Sequence, residues 1–549
     1  MFDGRKVVRA ATIVTGATIL SKFLGFGREV ALAAVFGASA VTDAYLVALV
    51  IPAVFFGIVG SAITTVGIPV FSEYIHQPEK RRELAGIIWA SFHALLIILA
   101  AIVCLGLPLA PWLVKMLAPG FSSAQASLTV GLVRIMLPMV VLMGLVGWAQ
   151  GVLNAYQHFT LPALMGIPYN LIMISGIFLA GVFGGISGVA WATVLATVSQ
   201  FLIQVPALSR HGVRYRRVLD WRHPVLRKML LLAGPVMIGM GANQLNVIVD
   251  RMLASGLVEG SISALSYAQR VLGIAQGLFA VPLITVLYPS LTERTALADL
   301  DGLRQALGRG ATLLAFLMLP LTVGLIVLRH DLVQFLFQRG AFDANDTRMT
   351  AVALLFYALG LIFLVWRDLL NRAFYALQDT VTPMWTGVAA VVTNVILNLI
   401  LVRYLAHGGL ALASSLAAVL ACFLLFIFLR RRLGHTGGLF LLRETARIAA
   451  AAFCMGAAVW WLAAYGLEAA GWTAFAGWLA PDGGGGWPGF ARQGLRLAVL
   501  IAAGGLIYAL CCRLLRVKEL EFVFGLLRRG TRHKGIKAQG TKAQRHKGN

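Results

Sequence analysis

Gly188-Val189-Ala190-Trp191-Ala192-Thr193 returns as Gly409-Leu410-Ala411-Leu412-Ala413-Ser414, an offset of 221 residues. Ala155, Gln157 and Pro162 return at the same offset as Ala376, Gln378 and Pro383. Pro69-Val70-Phe71-Ser72-Glu73 is answered by Pro289-Ser290-Leu291-Thr292-Glu293 at 220, and Leu113-Val114 by Leu332-Val333 at 219. One such match is weak, because apolar sequence repeats by chance. Four agreeing offsets mark an internal repeat, and the chain reads as two copies of one unit.

Composition says what each copy is made of. Hydrophobic residues make up 59% of the chain and charged ones only 12%, with a mean hydropathy of +0.84. That excludes an ordinary soluble globule. Apolar stretches of about 20 residues recur throughout, each long enough to cross about 30 Å of hydrocarbon. They lack the alternation of a membrane barrel, so the backbone must satisfy itself as helix. Fourteen spans are expected. Six lie near 8–36, 43–72, 84–111, 126–155, 161–183 and 187–208, and six near 229–256, 263–291, 305–328, 349–376, 383–403 and 409–430. Two more lie near 446–467 and 493–514. The fold class is thus all-α integral membrane, two parallel six-helix lobes (1–209 and 229–432) plus two C-terminal helices (443–516). A basic linker (210–228) joins the lobes, and a basic tail (517–549) follows.

The net charge of +24 would suit a nucleic-acid binder, but its distribution does not. Basic residues gather in short loops: Arg81 and Arg82; Arg210, Arg214, Arg216, Arg217, Arg222, Arg227 and Lys228; then Arg430, Arg431, Arg432 and Arg443. These loops share one side, read as cytoplasmic, whereas those after spans one, five and seven carry no Lys or Arg. Both termini are then cytoplasmic. Lys22, Arg28 and Glu29 interrupt what would otherwise be a signal-peptide core, so the first span reads as uncleaved. The five cysteines lack metal-ligand spacing. The segment Asp482–Pro488 reads as an external loop, and the tail from Arg528 to Asn549 as disordered, either idle or lying on anionic lipid.

An even number of spans per copy makes the repeats parallel, an architecture of transporters with a site near the midplane between them. Charges within spans are the candidates for that site. They are Lys22, Arg28 and Glu29 in span one, Asp43 at the start of span two, Arg134 in span four, Asp250 and Arg251 in span seven, Arg270 in span eight, and Arg367, Asp368 and Arg372 in span ten. Arg28 and Glu29, adjacent in sequence, point about 100° apart on a helix and are expected not simply to neutralise each other. Gly25 and Gly27 make span one a candidate for a bend. Arg367 and Arg372 also suit snorkelling to headgroups, and Asp250 with Arg251 a packing pair. Lys22, Arg28 and Arg270 are harder to explain that way, and three cations suit an anion such as phosphate. No nucleotide loop, metal cluster or nucleophile–base pair is evident.

Ser21-Lys22-Phe23-Leu24-Gly25-Phe26-Gly27-Arg28-Glu29, with Phe36-Gly37-Ala38 and Thr42-Asp43-Ala44, resembles the start of the MurJ (MviN) family of the MOP exporter superfamily. So do Tyr267-Ala268-Gln269-Arg270, Pro289-Ser290-Leu291 and Phe374-Tyr375-Ala376-Leu377-Gln378-Asp379-Thr380 with Thr382-Pro383. The resemblance implies a lipid II flippase of the bacterial inner membrane, moving the undecaprenyl-diphosphate-linked peptidoglycan precursor to the periplasmic leaflet. It implies Lys22, Arg28 and Arg270 as headgroup ligands, Glu29 and Asp43 as cavity acids, and Asp250 at a cation site. It further implies a lipid-tail groove on the last two helices, coupling to Na+, H+ or membrane potential, and a place beside membrane lipids and cell-wall synthesis proteins. The sequence departs from the family in having Lys22 for arginine, Glu29 for aspartate, and no arginine in Val54-Phe55-Phe56-Gly57. Two alternatives stay open: a flippase or exporter for another polyprenyl-linked saccharide or substrate, and a non-transporting scaffold for cell-wall synthesis.

Overall fold

The computed structural model describes residues 4–77, 79, 81–211, 213, 215–218, 220, 223–434, 438–466 and 487–520. The basic tail from residue 521, the glycine run Gly483–Gly486, and Arg214 and Arg222 of the linker lie outside the described residues. Among those described, every regular element is a helix. In order these are α1 (Gly4–Phe36), α2 (Ala40–Phe55), α3 (Ser61–His76), α4 (Arg81–Leu117), α5 (Ser123–Met136), α6 (Met139–Ala155) and α7 (Thr160–Leu164). Then come α8 (Gly166–Phe183), α9 (Gly185–Leu202), α10 (Val205–Arg210), α11 (Pro224–Ser255), α12 (Ser261–Ala275), α13 (Val281–Ala296) and α14 (Leu300–Val327). The rest are α15 (Arg329–Phe337), α16 (Ala344–Leu359), α17 (Leu361–Ala376), α18 (Val381–Leu433), α19 (Gly438–Trp461) and α20 (Trp487–Leu514). Local chemistry starts them: Ser39, Ser122 and Asp299 accept from the Thr42, Gln125 and Gly302 N–H groups, and Pro224 occupies the first turn of α11.

Among the described residues ten helices are long and apolar enough to cross a membrane, or eleven with the bent pair α16–α17 as one span. The sequence suggests fourteen. Part of the difference is geometric, since α18 covers the eleventh and twelfth expected spans, broken at Ala406 (φ 46°, ψ −129°). Helices α1 and α11, over the first and seventh, are helical but not among the ten.

Internal contacts divide the chain into two compact units. The first is Met1–Arg270 with Leu336–Thr350 and Val391–Leu410; the second is Val271–Phe335, Ala351–Ala390 and Ala411–Asn549. In the first, α3, α4 and α6 pack Phe71, Ile87, Ile88 and Trp148 into a core. The indole N–H of Trp148 donates to Ser91 Oγ at 3.1 Å. The basic linker is held there through His93, whose ring is 3.0 Å from Val218 O and 3.2 Å from the Tyr215 hydroxyl. In the second unit α14 lies against α17 and α19, and α19 against α20. Buried donors end on backbone carbonyls: Trp366 Nε1 on Ala311 O at 3.0 Å, and Tyr508 Oη on Phe316 O at 2.8 Å.

The sequence repeat reappears in unusual backbone. A π-helical turn at Phe56–Gly60 is matched 220 residues on by Gln276–Ala280. Gln157 (φ 59°) and Gln378 (φ 58°) end α6 and α17 in the left-handed region. Each is followed by the same closing bond, His158 N to Leu153 O and Asp379 N to Phe374 O, both 2.9 Å. Gly185 (φ 54°) corresponds to Ala406 (φ 46°). An alanine there is strained by about 1–2 kcal/mol. Ala406→Gly is expected to raise the thermal midpoint of the detergent-solubilised protein; an unchanged or lower midpoint would show that the backbone there is relaxed.

Candidate functional site

Glu29, on α1, is 5% exposed. Its Oε1 lies 2.6 Å from Arg28 Nη2 and 3.3 Å from Arg270 Nε on α12. The expectation that Arg28 and Glu29 would not neutralise each other is therefore corrected. Their Cβ atoms diverge, but the arginine side chain is long enough to fold back onto its neighbour. Arg28, 19% exposed, also donates to Asn170 Oδ1 at 3.3 Å and lies 5.6 Å from the Tyr169 ring centroid. Arg270, 56% exposed, meets Glu29 through Nε, which leaves its two terminal nitrogens for another partner. Two guanidinium groups on one carboxylate leave one net positive charge. Lys22 is exposed on the same helix as Arg28.

Asp43 is not a free cavity acid. At 2% exposure it accepts from Gly260 N at 2.8 Å, Ser263 N at 2.7 Å and Ser263 Oγ at 2.5 Å. It thus satisfies the first turn of α12, the helix that carries Arg270. Arg251 holds the same helix through Ile262 O at 3.2 Å and Ser266 Oγ at 2.9 Å. Asp250 accepts from Asn398 Nδ2 at 2.7 Å, and Asn398 also donates to Asn394 Oδ1 at 2.9 Å. The Oδ1 atoms of Asn246 and Asn398 are buried without a hydrogen-bond donor. In the second unit Arg367 pairs with Asp368 at 3.2 Å, and Arg372 lies 5.3 Å over the Tyr288 ring. The uncharged stretch ending at Gly57 runs into the π-helical turn, and the amide of Gln244 fills the space beside Gly57.

At one end of this unit the backbone closes on itself. Ala341 N donates to Ala34 O at 2.8 Å, Ala38 N to Asp346 Oδ2 at 2.9 Å, and Tyr267 Oη to Gly37 O at 3.3 Å. Gly260 (φ +85°) and Gly340 (φ +60°) press so closely on this segment that an added Cβ would collide with Ala38 O and Ala34 O respectively. Phe26, Tyr267, Phe337 and Phe342 form a linked aromatic cluster.

Residues 32–475 match the model of the family described as lipid II flippase MurJ. The chain belongs to that family. It is 32% identical over 439 residues to the lipid II flippase MurJ of Burkholderia cenocepacia, covering 77% of this chain and 84% of that protein. It is 30% identical over 535 residues to the probable lipid II flippase MurJ of Vibrio cholerae, covering 94% and 98%. A solved structure of lipid II flippase MurJ in an inward closed conformation shares the fold, with TM-score 0.74, 24% identity and coverage of 92% and 98%. An inward-facing multidrug resistance MATE family transporter of the MOP superfamily shares it more distantly, at TM-score 0.63, 14% identity and coverage of 78% and 99%. As a MurJ-family protein the chain is a multi-pass protein of the bacterial inner membrane.

The family match begins after Lys22, Arg28 and Glu29, so their standing rests on geometry. Arg28, Glu29 and Arg270 come together. Lys22 has no ion-pair partner among the described residues, Asp43 serves a helix end, and Asp250 joins an amide cluster. Asn170, Asn394 and Asn398, at most 5% exposed, went unnoticed in the sequence; uncharged amides within apolar spans were the signal. Gly340→Ala should cost at least about 1 kcal/mol through left-handed strain and contact with Ala34 O. Gly273→Ala, which meets nothing within 4 Å, should be neutral or stabilising by up to about 1 kcal/mol. Thermal unfolding of both variants in detergent checks this.

Proposed function

We propose that this protein moves lipid II, or a closely similar polyprenyl-diphosphate-linked saccharide, from the cytoplasmic to the periplasmic leaflet, as a transporter and not an enzyme. One observation carries the reading: Arg28 and Arg270 share the buried Glu29 carboxylate and leave one net positive charge among apolar helices. Such a charge is costly until an anion completes it. A diphosphate fits, because guanidinium binds phosphate oxygens with paired donors, and Lys22 adds a point charge. The names of the Burkholderia and Vibrio relatives support the same substrate.

We read the sealed end as periplasmic with both termini cytoplasmic: the loops after spans one and seven, which carry no Lys or Arg, form it together with the loop before α16, which carries Arg339. Substrate then enters from the cytoplasm and leaves when this seal opens, as alternating access requires. A protein that delivers a cell-wall precursor belongs near the proteins that consume it. The Asp250 cluster suits the coupling cation. It joins one carboxylate to Asn398, whose own amide oxygen has no donor, and a single negative charge fits a monovalent ion, Na+ or H+, better than a divalent one. Membrane potential, at about 2.3 kcal/mol per charge per 100 mV, acts in the same direction on a positively charged carrier returning inward.

Arg28→Ala and Arg270→Ala are each expected to insert normally and to abolish lipid II transport. Full rescue of a flippase-depleted strain by either variant would overturn the site. Asp250→Asn is expected to keep lipid II binding and lose the dependence of transport on an imposed Na+ or proton gradient. Unaltered gradient dependence in proteoliposomes would remove Asp250 from coupling.

A further inference from the structure

Asn170 lies on α8, facing neither water nor lipid, at 5% exposure. An unpaired amide in that setting costs several kcal/mol, and this one has all its bonds. Its Nδ2 donates to Gly166 O of its own helix at 2.8 Å and to Ser21 O of α1 at 3.1 Å. Its Oδ1 accepts from Arg28 Nη1 at 3.3 Å. One side chain therefore grips α1 at two points almost two turns apart. The helices approach closely around it: Gly25 leaves room for the amide, and a Cβ on Gly166 would strike Ser21 Oγ.

We propose that Asn170 is a positioning residue for headgroup recognition, holding the Arg28 guanidinium away from full collapse onto Glu29. The argument is geometric. Glu29 takes Arg28 through Nη2 at 2.6 Å, and Asn170 takes the other terminal nitrogen, Nη1. Without Asn170 the guanidinium is free to turn both terminal nitrogens onto the Glu29 carboxylate, the fork geometry such pairs favour. The pair would then be closed to an arriving phosphate. With Asn170 in place the plane of the guanidinium is fixed and its remaining N–H groups stay committed to no carboxylate. The bond to Ser21 O fixes the amide itself, so its Oδ1 cannot swing away. Among similar side chains only asparagine supplies both ends: aspartate loses the donor and adds a negative charge, leucine loses both, and glutamine is one methylene longer.

This inference rests on Arg28 contacting the diphosphate, as proposed above. The full-length protein in proteoliposomes, assayed for lipid II transport at a series of lipid II mole fractions, tests it. For Asn170→Ala we expect the half-saturating fraction to rise about tenfold, the scale of one hydrogen bond to a charged group, with the maximal rate little changed. Asn170→Asp, which puts a second carboxylate on Arg28, should be worse than alanine, and Asn170→Gln should recover part of the loss. A role in packing alone would instead lower thermal stability and maximal rate in all three and leave half-saturation unmoved, which would overturn the proposal. In an Arg28→Lys background Asn170→Ala should add little, whereas an undiminished further tenfold loss would show that Asn170 does not act through Arg28.

Binding of inorganic pyrophosphate to the detergent-solubilised protein, by calorimetry, keeps the two readings separate. If the wild type moves no lipid II yet binds pyrophosphate, and Asn170→Ala weakens that binding, the substrate reading fails and the positioning role stands. Wild-type transport with Asn170→Ala unchanged in both measurements sinks the positioning role alone.

Discussion

A carboxylate in the membrane interior has to be paired, and Glu29 is paired twice. Much of the first unit's polar framework can be traced from that requirement. Glu29 ties α1 to α12 through Arg270; Arg28 ties α1 to α8 through Asn170; Asp43 on α2 ties that helix to the first turn of α12. In a medium where apolar packing offers little preference for one helix neighbour over another, such polar contacts decide which helices meet and in what register. The positive excess left after pairing is what the proposed headgroup contact would use. On that proposal, helix pairing and recognition draw on the same few atoms.

Much of this was legible in the sequence, and for identifiable reasons. Helical membrane segments announce themselves through hydropathy, and the repeat through its offsets. Lys22, Arg28 and Arg270 stood out because charge is scarce in apolar spans. Direction and partnership were not legible. Helical geometry says where Cβ points, not how far an arginine can fold back, so the Arg28–Glu29 contact was missed. Asp43 looked like a cavity acid because sequence gives no sign that α12 begins 217 residues later beside it. Asn170, Asn246 and Asn398 carry no charge to draw attention, and their importance lies in neighbours that only the fold supplies. The count of spans blurred where one run of helical hydrogen bonds passes through a break at Ala406.

The two copies keep shape while changing chemistry. The turn after α6 and the turn after α17 share a left-handed glutamine and the same closing hydrogen bond. The next residue differs. In the first copy it is His158, whose affinity for a proton is reduced first by burial and then by His211 and Arg210. In the second it is Asp379, held below the usual carboxylate range first by the Thr382 N–H, with Arg432 contributing at 2.5 Å. One turn thus presents a largely neutral ring at neutral pH and the other a fixed negative charge. Duplicated backbone has been put to unequal electrostatic use.

The closure around Gly260 and Gly340 has a kinetic consequence. Contacts between side chains can be undone one rotamer at a time. Here two main-chain segments also bond directly, Ala341 N to Ala34 O, and neither glycine has room for a Cβ. Such a contact is released by moving helix ends, not by turning a side chain, which places its opening among the slow collective motions of a protein.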